Sequence, residues 1–164
     1  MGGRLLKRWL ALPLKNIDEI KNRHELVKFF IDSDDFSRNV TYQLKQISDL
    51  ERLISKVATS KASPREIVLL KDSLKAILPI KASAESSENA SVKVLGNQLH
   101  TCNDLIEKIS ETLFEDAPVN INKGNAIATG VHQELDDLRA ISNSGKEYLD
   151  NMLTREVERT GITS

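Results

Sequence analysis

Cysteine is almost missing from this 164-residue sequence: Cys102 stands alone, which excludes an internal disulfide and a cysteine-built metal cage and fits a reducing compartment. Aromatic residues make up only 4% of the chain, so its core must rest on Leu, Ile, Val and Ala, a composition of packed helices more than of a β-sandwich. No apolar run approaches the ~18 residues needed to cross a bilayer. No charged-then-apolar leader precedes a small-residue cleavage site. The expectation is a cytoplasmic segment that touches no membrane. Neither sign of charge dominates: 23 Lys and Arg face 24 Asp and Glu, for a net charge of −1. The molecule as a whole is therefore no polycation, and any contact with nucleic acid must be local.

What is present is helical periodicity, punctuated by caps. A first helix is expected from Gly3 to Leu12, with Leu5, Leu6, Trp9 and Leu10 on one face, Arg4, Lys7 and Arg8 on the other, and Pro13 as its end. Asn16 and Glu19 open a second through Ile20, Val27, Phe29 and Phe30. After Ser33-Asp34-Asp35, the positions Phe36, Val40, Leu44 and Ile47 mark one buried stripe. Asp49 caps a short helix through Leu50, Leu53, Ile54 and Val57. Ser63-Pro64-Arg65-Glu66 is a capping box with proline in the first turn, and its helix runs through Ile67, Leu70, Leu74 and Ile77 until Pro79 stops it.

Residues 82–90 carry Ser, Ala, Glu and Asn with nothing to bury and read as a loop or helix–helix connection and a candidate boundary. Val92, Leu95 and Leu99 suggest another helix, and Asn103-Asp104 starts one through Leu105, Ile109 and Leu113, ended before Pro118. Val119-Asn120-Ile121 and Ala126-Ile127-Ala128 flank a glycine-containing turn as a small hairpin. From Glu134 to Ile162 the chain reads as one long helix. Leu135, Leu138, Ser142, Gly145, Leu149, Met152 and Glu156 fall three and four apart on it as a seam that weakens toward the end. The predicted fold is mostly α: an irregular multi-helix bundle with one small β-hairpin near 119–128 and a long projecting C-terminal helix. Both termini read as cuts through something larger.

Chemistry is sparse. His24, His100 and His132 are scattered at spacings that suit no metal site, and Ser144-Gly145-Lys146-Glu147 lacks the upstream glycine and the hydroxyl of a phosphate-binding loop. Cys102 is expected on a helix as a small buried hydrophobe. The carboxylates of Glu134, Asp136 and Asp137 suit the first turns of the long helix, where they complement its dipole. Arg4, Lys7, Arg8 and Lys15 form the one local cation cluster that could meet phosphate or an acidic partner; a solvated helix face is the weightier reading. No catalytic, cofactor-binding or metal residue is expected.

Several of these segments together resemble one family, the MutS DNA mismatch-repair proteins, in the helical core and lever region of their chains. MGGRLLKRWLALPL (Met1 to Leu14) resembles the family's opening, and Ile47-Ser48-Asp49-Leu50-Glu51-Arg52 its Asp-Leu-Glu-Arg step. Ala62-Ser63-Pro64-Arg65 resembles its Pro-Arg helix start. Glu134-Leu135-Asp136-Asp137-Leu138-Arg139 and Glu156-Val157-Glu158-Arg159-Thr160-Gly161 resemble its later segments in the same order. His132 departs where relatives often carry Asn or Asp, and Gly3 where Ser is common. The resemblance implies a helical core over residues 1–130 and an ascending lever helix over 131–164, cut where a clamp insertion would begin. It implies a parent that dimerises around DNA and reads mismatches and hydrolyses ATP with magnesium in domains outside this segment, which itself needs no cofactor. The implied partners are the parent's other domains, mismatched DNA and a second subunit. With a returning lever helix missing, Leu135, Leu138, Leu149 and Met152 should be partly exposed or covered by a second copy. The implied role is mechanical. The rival readings are a stand-alone helical adaptor that binds a partner helix and a cofactor-binding bundle with inward-facing carboxylates or histidines.

Overall fold

The computed structural model describes residues 2–161. The chain divides into two units, Met1–Ala126 and Ile127–Ser164. The first holds α1 (Gly3–Ala11), α2 (Ile17–Asp32), α3 (Asp34–Gln46), α4 (Leu50–Ala58), α5 (Pro64–Lys75), α6 (Ile77–Glu85), α7 (Ala90–Gln98) and α8 (Asn103–Thr112). The second holds α9 (Gln133–Thr160). The expected mostly helical bundle is what the sequence forms.

The caps explain most starts. Asn16 accepts from the Asp18 amide, Asp49 from the Arg52 amide and Asn89 from the Val92 amide, each satisfying a donor that the first helical turn leaves free. At α5 the box is reciprocal: Ser63 accepts from the Glu66 amide at 3.3 Å, and the Glu66 carboxylate accepts from the Ser63 amide at 3.0 Å. Glu66 also pairs with Lys56 of α4, so the start of α5 is tied to its neighbour.

Two apolar centres hold the first unit. Leu53 of α4, Leu70 and Leu74 of α5 and Ile106 of α8 form one, with Leu50, Ile77 and Cys102 packed against it. On α5 sits a polar pin: Ser73, fully buried, donates to the Leu69 carbonyl at 2.7 Å and accepts from the Ser48 amide at 3.0 Å, which fixes the link between α3 and α4. The other centre gathers the rings of Phe29, Phe30 and Phe36, set edge to face at centroid distances of 5.2 to 6.1 Å, beside buried Val40, Ala84 and Val92. The helices α6 and α7 approach so closely that a Cβ on Gly96 would lie 2.8 Å from the Ala84 Cβ. Asn39 bonds Ser83 at 3.0 Å, and Lys81 donates to the Leu99 carbonyl at 2.9 Å, joining α6 to α3 and to the end of α7.

Several expectations are corrected. Pro79 does not stop a helix: it occupies the first turn of α6, where the amide it lacks would have no intrahelical acceptor. The break falls earlier, at Ala76. Helix α6 then continues to Glu85, because burying Ala84 against Gly96 rewards helical backbone there, and the loop shrinks to 86–89. The β-hairpin near 119–128 does not form, and no strand occurs among the described residues. Asn120 instead accepts from the Asn122 amide, residues Ile121–Lys123 wind into one 3-10 turn, and Gly124 ends it at a φ of 73°. Val119 and Ile121 are exposed, so no apolar face rewards strand pairing, and two strands of three residues are marginal alone. The α3 stripe is buried only at Val40, while Leu44 faces solvent. Cys102 is the residue before α8, in the left-handed region at a φ of 50°, and not inside a helix. The segment from Ile162 onward lies outside the described residues.

Replacing Gly96 with Ala should destabilise the domain by about 1 kcal/mol net. An overpacking cost of about 1–3 kcal/mol outweighs the ~1 kcal/mol gain in helix propensity, and Ala84→Gly in the same chain should restore part of the loss, both read by urea unfolding. A pH effect should also appear. The Glu66 carboxyl is lowered from its ordinary 4.5 to about 2, chiefly by the hydrogen bond from Lys56 and then by the Ser63 amide. Its stabilising contribution is complete above 4.5 and is lost as pH falls through about 2, so thermal unfolding of Glu66→Gln should decline less steeply across that window than the wild type.

Candidate functional site

The predicted cation cluster sits on α1 and the turn after it. None of α1 is buried, and it is held by polar contacts near each end. Arg4 Nη2 lies 2.7 Å from Asp49 Oδ1 and 3.0 Å from Glu51 Oε2. At the other end the Arg23 guanidinium of α2 stacks 3.8 Å above the Trp9 ring. Leu6 and Leu10 are exposed beside Lys7 and Arg8, and Lys15 is exposed in the turn leading to α2. The structure therefore divides the cluster. Arg4 is committed to two carboxylates of the α4 start, while Lys7, Arg8 and Lys15 stay in solvent.

Asp49 serves two donors. It caps α4 through the Arg52 amide at 3.2 Å and accepts from Arg4, and these bonds, Arg4 first, hold its carboxyl below the ordinary 3.8. The same contact raises the Arg4 guanidinium, with the Asp49 hydrogen bond as the main cause. Sequence reasoning assigned Asp49 only as a cap. Nothing local in the chain links residue 4 to residue 49, so this pairing had no sequence signal, and neither did Arg23 over Trp9.

In the second unit, α9 is 28 residues long and begins at a His132 cap whose Nδ1 accepts from the Leu135 amide at 3.3 Å. His132 thus caps where Asn or Asp would. Asp136 accepts from the Gly130 amide at 2.6 Å and from Arg139 at 3.2 Å, and Arg139 also donates to the Ile127 carbonyl at 2.9 Å, which braces the root of the helix. Of the seam residues, Leu135 is half-buried, and Leu138, Leu149 and Met152 are 58%, 63% and 52% exposed. Glu156 pairs with Arg159 at 2.7 Å near the far end.

Among the described residues no group of three or more His, Cys, Asp or Glu is placed to hold a metal ion. An apolar hollow in the first unit, lined by residues that include Phe30, Phe36, Val40, Val92 and Leu99, has Gln98 as its one polar side chain. No helix among the described residues is long and apolar enough to cross a membrane.

The class defined here is an all-helical packing module that carries one long, solvent-washed helix. A family model for MutS domain III matches residues 1–160, and the chain belongs to that family. It is 62% identical over 164 residues to the DNA mismatch repair protein MutS of Flavobacterium johnsoniae, 60% to that of Flavobacterium psychrophilum and 48% to that of Bacteroides thetaiotaomicron. Each alignment takes in all of this chain and 19% of the relative's length.

The Arg4 pairing is testable directly. In a carboxyl NMR titration, Asp49 should titrate below 3.8 in the wild type and move up in Arg4→Ala. An unshifted Asp49 in both proteins would show that the contact does not persist in solution.

Proposed function

We propose that this chain is the core and lever segment of a DNA mismatch repair protein, in which residues 1–130 form the helical core and 131–164 the ascending lever. Its work is mechanical: it links an ATPase domain to a DNA clamp, so that nucleotide state alters how the parent grips the duplex by rigid-body movement of packed helices. The observation that carries this is the MutS domain III match over residues 1–160, supported by relatives named as DNA mismatch repair proteins. Two features of the fold suit a mechanical role. One is a bundle pinned by Ser73 and the Ser63–Glu66 box, and the other is a 28-residue helix braced at its root through Asp136 and Arg139.

In this reading ATP and magnesium belong to regions of the parent beyond this segment, which performs no catalytic step. Its partners are the other domains of the same protein and, through them, mismatched DNA and a second subunit. The exposed Leu138, Leu149 and Met152 are packing positions for another helix, from the same chain or a second copy. Lys7, Arg8 and Lys15 remain free for an acidic partner surface or phosphate.

Stiffness is what the experiment should remove. In the intact protein, replacing residues 151–154 with four glycines should leave basal ATP hydrolysis unchanged and abolish the effect of nucleotide on affinity for mismatched duplex. If nucleotide still shifts that affinity as in the wild type, the lever assignment fails.

A further inference from the structure

A different property of α9 lies in the run Ser142-Asn143-Ser144-Gly145 at its middle. All four are weak helix formers, and a Ser-Gly pair is among the few recognised sites at which helices bend. Within this segment nothing packs on them: a Cβ added at Gly145 would meet nothing within 4 Å, its backbone is ordinary right-handed helix, and every residue over 140–156 is exposed. Propensity is therefore not overridden by burial, as it is in α5 and α6.

Two further observations converge on the same turn. Ser144 Oγ donates to the Ile141 carbonyl at 3.0 Å, a back-bond of the type that competes with the helical ladder and bends it. The ion pairs that reinforce α9 lie toward its two ends, at Asp136–Arg139 and Glu156–Arg159, and so brace the segments on either side.

We propose that the turn over residues 142–145 is a built-in flexure point of α9, dividing it into a braced root and a braced outer segment that bend relative to each other about one turn. The device needs no ligand. It deepens the coupling role proposed above, in which α9 then acts as two stiff segments joined at one turn, and because it is read from exchange rates along α9 and not from nucleotide coupling, its failure and the failure of that role are separable.

Hydrogen exchange followed by mass spectrometry on the intact protein tests this. Amides of residues 144–149, whose carbonyl acceptors lie in or next to the weak turn, should exchange faster than those of 137–141 and 152–156, giving a protection minimum inside a continuous helix. Gly145→Ala fits the space and the backbone, so it should fold, and it should slow exchange in that window about fivefold, equivalent to ~1 kcal/mol. The flanking segments should keep their rates. A protection profile without the central minimum overturns the proposal, and so does a minimum that Gly145→Ala leaves unchanged.

Discussion

Burial of α5 is the constraint on which the first unit depends. Leu70 and Leu74 face Leu53 and Ile106, and on the same helix Ser73 is sealed from solvent with both of its hydrogen-bonding functions used. An unsatisfied hydroxyl at that depth would cost about 1–3 kcal/mol, so the Ser48 amide must stay where it is and the chain must turn there into α4. The Ser63–Glu66 box and Lys56 set the start of α5, and through it the position of α4. Helix placement in this unit is thus set jointly by apolar contact and by a few satisfied polar groups, which is what restricts a low-aromatic core to one arrangement.

The α6 and α7 pair shows a different solution to the same problem. With few large side chains available, closeness is obtained by removing one: Gly96 lets α7 reach Ala84 and the backbone beside it. The three phenylalanines then fill the side toward α2 and α3. By contrast α1 buries no residue and depends on Arg4 with Asp49 and Glu51 and on Trp9 beneath Arg23. Exposed ion pairs contribute little, so α1 is held weakly and keeps an apolar face and the cations of Lys7 and Arg8 in solvent. The chain spans 19% of the length of these relatives.

Much of this was legible in the sequence, for physical reasons that differ by element. Caps are local chemistry, so Asn16, Asp49 and Ser63–Glu66 could be read directly and the structure uses them as caps. Periodicity located α1 through α5 and α7 through α9. It failed where the deciding partner lies far along the chain. Pro79 looked like a stop because its tolerance depends on where α6 begins, and residues 82–85 looked like loop because the reward for helix there is Gly96 across the gap. The hairpin failed for a different reason: the first triplet is exposed at Val119 and Ile121, while Ala126 of the second is buried and its carbonyl accepts from the Phe114 amide, so the two triplets are not partners. Of the candidate cations the sequence could name the residues, but not that Arg4 is already engaged.

The helical class, most helix starts and the family are written in the order of the residues, because propensity, capping and ordered motifs are encoded within a few positions of each other. Folding in three dimensions settled the rest: which leucines are core, where α5 gives way to α6, which cation of α1 is neutralised and that α9 lies exposed at its weakest turn. Those outcomes depend on which surfaces meet, and contact between positions such as 4 and 49 or 84 and 96 is a property of the folded chain that no local pattern records.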